Sequence, residues 1–135
     1  MPLTTRREVT PLRTQADIVI TRQVVRQWAV AQGLGLVDQT KIVTAASELA
    51  RNTVEYGGGG TCTLEALSDG LRKGLRLTFE DQGPGIADVA QAMRDGYTSG
   101  NGMGLGLGGS RRLVNEFEIH SVPGQGTRVT VTRWR

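Results

Sequence analysis

The chain has 135 residues, 38% of them hydrophobic, which suits one folded domain rather than two. Its net charge of +3 comes from 16 basic and 13 acidic residues dispersed along the sequence, and aromatic residues make up only 4%. Because nucleic-acid interfaces concentrate basic residues, often among aromatic ones, this composition argues against nucleic-acid binding.

Two further features indicate the compartment. No apolar run approaches the roughly 18 residues that a membrane span requires, and the N-terminus lacks a secretory-signal pattern. We therefore expect a cytoplasmic protein with no membrane partner. The single cysteine, Cys62, excludes an internal disulfide framework and lies in an apolar run, which is typical of a small core residue.

The N-terminal region predicts an edge strand and a helix. Residues 7–12 form the strand, which is confined to an edge because Pro11 cannot donate a ladder hydrogen bond. Apolar residues then recur at helical spacing over residues 17–32. Gly33 and Gly35 end this helix.

A second helix and a pair of strands are expected next. The helix runs over residues 38–56 with Asp38 as its N-cap, and the glycines at 57–60 end it as a flexible link. Residues 62–67 and 71–80 predict two strands joined by a Ser-Asp-Gly turn.

The C-terminal region mixes both element types. Residues 87–95 predict a short helix, and residues 96–102 predict a loop rich in Gly, Ser, Thr and Asn. A helix over residues 104–116 follows. Residues 117–122 and 127–133 then form a hairpin around Pro-Gly-Gln-Gly.

This order of elements predicts an α+β fold of two layers, a mixed or antiparallel sheet with helices on one face. Leu75, Leu77 and Phe79 alternate with polar residues, so one face of the sheet is buried. No linker, repeat or low-complexity block divides the chain, and we expect a single domain over residues 1–135.

The first chemically informative segment runs from Glu48 to Asn52, which lie one helical turn apart and share a face. The amide oxygen of Asn52 suits Mg²⁺, a cation that proteins often hold with one or two side chains plus nucleotide phosphates. Glu48 could orient or deprotonate an attacking group, or bind the metal through water. Taken alone, the segment fits better a solvated surface pair near Arg51 and Glu55.

The second segment begins at Asp81, which ends an alternating strand and precedes Gln-Gly-Pro-Gly-Ile. A carboxylate at a strand end can accept a hydrogen bond from the exocyclic amine of adenine. Gly83 and Gly85 let the backbone approach a base closely, and Pro84 fixes the turn. The alternative is an ordinary turn after a strand, although this sequence is more particular than most turns.

The third segment is the glycine run from Gly102 to Gly109. Gly104, Gly106 and Gly109 match the dinucleotide fingerprint, but that motif needs a preceding strand and an acidic residue ~20 positions further on. Here a loop precedes the run and no acid lies near Arg128, so we reject the dinucleotide interpretation. Backbone N–H groups at a helix start still attract phosphate, which predicts a phosphate cradle.

The stretch over residues 96–101 could close over a bound phosphate as a lid. No basic residue lies between Asp95 and Arg111. The charge of the terminal phosphates must therefore be met by Mg²⁺, by backbone amides, or by a residue such as Arg51.

With the three segments in this order, the chain resembles the GHKL (Bergerat-fold) ATP-binding superfamily over essentially its whole length. The N-box corresponds to residues 48–52, the G1 box to 81–85 and the G2 box to 102–106. A late glycine–threonine motif corresponds to residues 124–127. The resemblance implies the Bergerat fold, binding of ATP with Mg²⁺, and ADP as the product.

The resemblance also implies roles for individual residues. Asn52 would bind Mg²⁺, Asp81 would read adenine and Glu48 would be the catalytic base. The residues implied to contact the nucleotide are Asn52, Asp81, Gly83, Gly85, Ile86, Ser99, Gly100, Gly102, Met103, Gly104, Leu105, Gly106 and Thr127.

Within the superfamily, residues 47–52, 80–86 and 95–99 resemble the RsbT-type switch kinases of the stressosome, which are related to the RsbW and SpoIIAB anti-sigma factor kinases. This implies a serine/threonine protein kinase that phosphorylates STAS-domain partners of the RsbS or RsbR type and, once released, activates an RsbU-type phosphatase. Anti-sigma relatives tend to carry a lid arginine where this chain has Gly100 and Asn101, which favours the switch-kinase branch.

Two other functions remain open. The chain could be an anti-sigma factor that holds a sigma factor and phosphorylates an anti-anti-sigma STAS protein, and co-purification of a sigma factor would support that. It could also be a nucleotide-dependent scaffold that binds ATP without phosphotransfer. A complete sensor histidine kinase is not expected, since we find no dimerisation helix with a phospho-acceptor histidine.

Overall fold

The computed structural model describes residues 2–94 and 106–135 of the chain. Five strands and four helices lie within them. In chain order they are β1 (Leu3–Leu12), α1 (Gln15–Ala31), α2 (Leu36–Glu55), β2 (Gly60–Ser68), β3 (Lys73–Asp81), α3 (Val89–Ala92), α4 (Gly106–Arg112), β4 (Glu116–Val122) and β5 (Gly126–Trp134).

The strands form one sheet in the order β1-β2-β3-β5-β4, and every neighbouring pair is antiparallel. The sheet is therefore antiparallel rather than mixed. β1 lies at an edge, as Pro11 predicts. The α+β architecture expected from the order of elements is confirmed.

The core lies between the helices and one face of the sheet. Leu75, Leu77 and Phe79 are almost fully buried, and they pack in one cluster with apolar residues of α1 and α2. Cys62 belongs to the same cluster, and burial raises the pKa of its thiol far above the usual range. The thiol is thus kept protonated and unreactive, as a core residue should be.

A helix boundary differs from the prediction where a residue hydrogen-bonds to another element instead of continuing the helix. The last predicted helix ends at Arg112 rather than at residue 116. The reason is that Asn115 already belongs to the sheet edge: its N–H donates to the Thr132 carbonyl, and its side chain accepts from the Trp134 N–H. None of the helices in the described ranges has the length and apolar character that a bilayer crossing requires.

Asp38 is not the N-cap of α2, contrary to the prediction. Gly35 occupies that position without a side-chain cap, and α2 begins at Leu36. Asp38 instead lies in the first turn, where its Oδ1 accepts hydrogen bonds from Nε (3.0 Å) and Nη2 (2.6 Å) of Arg133. This ion pair ties the start of α2 to the end of β5.

The Asp38–Arg133 pair predicts a coupled loss of stability. Charged hydrogen bonds contribute about 1.5–3 kcal/mol, so Asp38→Asn and Arg133→Gln should each lower the free energy of unfolding by about that amount. The double variant should lose clearly less than the sum, as measured by urea unfolding. Strictly additive losses would mean that Asp38 acts only on its own helix.

Candidate functional site

A cavity of about 400 Å³ lies between α2, the ends of β3 and β5, and the segment that follows β3. Pockets for small molecules typically have volumes of roughly 300–1,000 Å³, so the space suits a ligand the size of a nucleoside. Residues from all three sequence motifs reach its wall: Asn52, Asp81, Gly85, Ile86, Gly106 and Thr127.

The cavity combines apolar walls with a few polar groups. Leu49, Phe79 and Val129 line it from the core, while the Asp81 carboxylate and the Thr127 hydroxyl offer hydrogen-bonding atoms. Asp81 and Thr127 are directly opposite each other in the β3–β5 register. This arrangement suits a flat apolar ring that carries a polar substituent.

Asp81 is held in place by the turn that follows it. Its Oδ1 accepts the N–H of Gly83 at 2.9 Å, and no described residue donates to its Oδ2. Gly83 itself does not line the cavity. A Cβ at Gly83 would lie 2.7 Å from the Gly57 carbonyl oxygen, so this glycine serves the contact between the turn and the end of α2.

The glycines after α2 are packed rather than a flexible link, contrary to the prediction. A Cβ at Gly57 would collide with the Asp81 side chain. A Cβ at Gly60, the first residue of β2, would collide with the Glu80 carbonyl oxygen. Gly57 therefore provides the space in which the Asp81 carboxylate lies.

Glu48 and Asn52 share a face of α2, but only Asn52 lines the cavity. Glu48 is 9% exposed, which excludes the solvated surface pair considered from the sequence. Its Oε1 accepts from Arg51 Nη1 at 3.0 Å, whereas its Oε2 is buried with no hydrogen-bond partner among the described residues. A buried oxygen without a partner costs about 1–3 kcal/mol, so a functional reason for it is expected.

Arg51 is engaged by carboxylates of its own helix. Besides the bond to Glu48, its Nε lies 4.0 Å from Oε2 of Glu55. The structure thus places Arg51 beside Glu48, which argues against Arg51 as the cation for the terminal phosphates.

Ser121 is a site residue that the sequence analysis missed. Its Oγ accepts the Ile86 N–H at 2.7 Å, lies 2.8 Å from Thr127 Oγ1, and donates to the Gly126 carbonyl at 3.2 Å. Ser121 pairs with Thr127 in the β4–β5 register, so reading the predicted hairpin in register would have found it.

The turn after Asp81 docks on the β4–β5 turn through backbone atoms as well. The Gly124 N–H donates to the Pro84 carbonyl at 2.7 Å. Gly85 has φ +74°, and a Cβ there would collide with the Val122 carbonyl oxygen. Glycine is required at this position both for its backbone angle and for the close approach.

Several predicted site residues lie outside the described ranges: Ser99, Gly100, Gly102, Met103, Gly104 and Leu105. The predicted lid over residues 96–101 lies there too. Of the predicted phosphate cradle, Gly106 is described; it begins α4 and lines the cavity.

The described residues contain no group of three or more His, Cys, Asp or Glu side chains placed to hold a metal ion. Mg²⁺ commonly takes one or two protein oxygens and completes its shell with phosphates and water. The Asn52 amide on the cavity wall fits that mode of binding, while an all-protein metal cage does not fit this part of the chain.

Comparison with known proteins assigns the chain to a family. Residues 37–134 match the family described as histidine kinase-, DNA gyrase B-, and HSP90-like ATPase. The chain belongs to this family. As a member of this GHKL ATPase family it uses ATP, and the predicted α+β Bergerat fold is confirmed.

Two curated relatives refine the position of this GHKL chain. It is 46% identical over 123 residues to the serine/threonine-protein kinase RsbT of Bacillus subtilis, which covers 91% of this chain and 92% of that protein. It is 27% identical to an anti-sigma F factor of Thermoanaerobacter, over 99% of this chain and 96% of that protein. The predicted enzyme class, a protein serine/threonine kinase, is confirmed.

A solved structure supports the same fold. The RsbU and RsbW domains of a Mycobacterium tuberculosis protein superpose with a TM-score of 0.68 at 24% identity. The match covers 97% of this chain, which spans 33% of that longer one.

The packing of Gly57 predicts that a side chain at this position weakens nucleotide binding. Asp81 is predicted from the sequence to contact adenine, and Gly57→Ala would displace its carboxylate, so affinity for ADP should fall roughly tenfold or more. Gly35→Ala is the matched control, because no atom lies within 4 Å of a Cβ built there. Isothermal titration calorimetry measures both variants; equal affinities would contradict the assigned role of Gly57.

Proposed function

We propose that this chain is a Mg-ATP-dependent protein kinase that phosphorylates STAS-domain partners of the RsbS and RsbR type and, when released from them, activates an RsbU-like phosphatase. The observation that carries the proposal is the buried, unpartnered oxygen of Glu48, one helical turn from Asn52 on the cavity wall. The similarity to RsbT supports the switch-kinase assignment.

In this proposal the base of ATP would occupy the cavity. Its apolar walls would contact the ring faces, and Asp81 would accept a hydrogen bond from the exocyclic amine of adenine. The Gly83 N–H that holds Oδ1 leaves Oδ2 for this bond, which supports the assignment. Ile86 and Thr127 complete the wall beside Asp81.

Asn52 would bind Mg²⁺ through its amide oxygen. An ion held there would supply positive charge near the transferring phosphoryl group. Asn52 is suited to binding the ion because it lines the cavity and shares its face of α2 with Glu48.

Glu48 would act as the general base. Arg51 holds Oε1, so the other oxygen is left to accept the proton of the incoming serine or threonine hydroxyl. The hydroxyl oxygen bonds to the terminal phosphorus, the bond from that phosphorus to ADP breaks, and the proton moves to Glu48. Most of the rate enhancement in phosphoryl transfer comes from positioning and charge stabilisation.

An anti-sigma factor is the second candidate function. The similarity to an anti-sigma F factor over nearly the whole chain favours it. In that case the chain would hold a sigma factor and phosphorylate an anti-anti-sigma STAS protein. The two candidates share the nucleotide site and differ in the partner.

The role of Glu48 predicts loss of transfer without loss of binding. The purified chain is mixed with γ-labelled ATP, Mg²⁺ and a STAS-domain protein encoded beside it. Glu48→Gln should reduce label on the partner's serine or threonine by at least roughly 100-fold, the usual contribution of a general base, while ADP affinity stays unchanged.

Glu55→Gln is the control for this experiment, because Glu55 also lies beside Arg51 but is more exposed. It should leave transfer intact. Equal transfer by Glu48→Gln and the unaltered chain would refute the base assignment. Retention of a sigma factor, with transfer only to an anti-anti-sigma STAS protein, would favour the anti-sigma function. ATP binding with no transfer to any partner would instead favour the nucleotide-dependent scaffold.

The role of Asn52 predicts a change in metal dependence. Asn52→Ala should weaken ATP binding in the presence of Mg²⁺ roughly tenfold and have little effect in EDTA, because only the metal-dependent part of the affinity is lost. Titrations with and without Mg²⁺ measure this difference. An unchanged effect of Mg²⁺ in the variant would remove Asn52 as a metal ligand.

A further inference from the structure

We infer that Ser121 makes the Thr127 hydroxyl a hydrogen-bond acceptor toward the cavity, and that this polarity selects a 6-amino purine over a 6-oxo purine. The inference goes beyond the proposed function and rests on its placement of the base beside Asp81 and Thr127. Ser121 is therefore a positioning residue for base recognition.

Three hydrogen-bonding contacts surround the Ser121 hydroxyl. A hydroxyl has one proton to donate and two lone pairs that accept. The Gly126 carbonyl can only accept, so its 3.2 Å bond uses the Ser121 proton. The Ile86 N–H can only donate, so its 2.7 Å bond uses one Ser121 lone pair.

Either hydroxyl could donate in the remaining contact, 2.8 Å between Ser121 Oγ and Thr127 Oγ1. The assignment that satisfies all three contacts of Ser121 at once gives this bond the Thr127 proton. With this assignment Ser121 satisfies one donor and two acceptor positions, its full capacity. The Thr127 proton points to Ser121, and its lone pairs are left for the cavity that Thr127 lines.

The neighbouring strand presents a second acceptor. Asp81 lies directly opposite Thr127, and directly paired residues on antiparallel strands have Cβ atoms about 5 Å apart. An ionised carboxylate can only accept. The cavity thus presents two acceptors side by side, from β3 and β5.

An exocyclic amino group matches these two acceptors because it carries two N–H donors. An oxo group at the same ring position has only lone pairs and would face two acceptors with no donor. Sites built to hydrogen-bond one polar group reject analogues that leave their buried groups unpaired. The geometry therefore selects adenine over hypoxanthine or guanine at position 6.

The backbone around Ser121 keeps this arrangement in place. The Gly124 N–H bond to the Pro84 carbonyl and the close approach of Gly85 to Val122 hold the turn after β3 against the β4–β5 hairpin. Because both anchors are backbone contacts, they persist when the Ser121 hydroxyl is removed. A change in base selectivity can then be separated from a general loosening of the site.

The test compares ADP with inosine diphosphate, which differ at position 6, by titration calorimetry in Mg²⁺. Ser121→Ala releases the Thr127 proton to donate into the cavity. The ratio of the affinity for ADP to the affinity for inosine diphosphate should therefore fall by roughly threefold to tenfold, which corresponds to the loss of one hydrogen bond. Loss of the Ile86 anchor would lower both affinities together and leave their ratio unchanged.

Three further variants complete the experiment. Ser121→Thr keeps the hydroxyl and should keep the preference. Thr127→Val removes the acceptor and should narrow it even if Ser121→Ala fails to fold. Thr130→Ala is the control: it removes a hydroxyl of β5 that does not line the cavity and that lies 3.4 Å from the Thr78 hydroxyl. This variant should leave the preference for ADP unchanged.

The outcomes separate this inference from the proposed function. If Asp81→Asn weakens ADP binding while Ser121→Ala and Thr127→Val leave the ADP preference unchanged, the inference is overturned and the nucleotide site stands. If Asp81→Asn leaves ADP binding intact, the placement of the base fails and the inference fails with it. A narrowed preference in Ser121→Ala that Ser121→Thr restores supports it.

Discussion

The close contact between the end of β3 and the end of α2 is the constraint on which the rest of the site depends. Gly57 leaves room for the Asp81 side chain, and Gly83 brings the following turn against the Gly57 backbone. On the other side, a Cβ at Gly126 would collide with the Asp81 carbonyl oxygen. Side chains at these positions would hold the segments apart, so the close approach of the segments around Asp81 depends on three glycines.

The two layers give the site its contrast between apolar walls and a few polar groups. Phe79 and Leu49 belong to the core and also line the cavity, so its walls are as rigid as the core itself. In such surroundings hydrogen bonds strengthen and an unpaired polar atom costs more than in water. The unpartnered oxygen of Glu48 lowers the stability of the fold in this way, and burial of the apolar core offsets that loss.

Local patterns in the sequence predicted the elements and much of the cavity. The alternation in β3 and the helical spacing in α1 and α2 are properties of short stretches, and they survive in the structure. Asn52, Asp81 and Thr127 all line the cavity. They could be predicted from the sequence because each belongs to a motif within one element or turn. The boundaries failed where a distant residue intervened, as at Asn115, which bonds to β5.

The sequence by itself determined where most strands and helices lie and which face of α1, α2 and β3 is buried. It also determined the family and which polar residues line the cavity. Only the tertiary structure decided that Asp38 pairs with Arg133, that Gly57 accommodates Asp81, and that Ser121 joins the turn after β3 to the hairpin. These contacts join residues far apart in the chain. Their partners depend on strand register and layer packing, which no single stretch of sequence specifies.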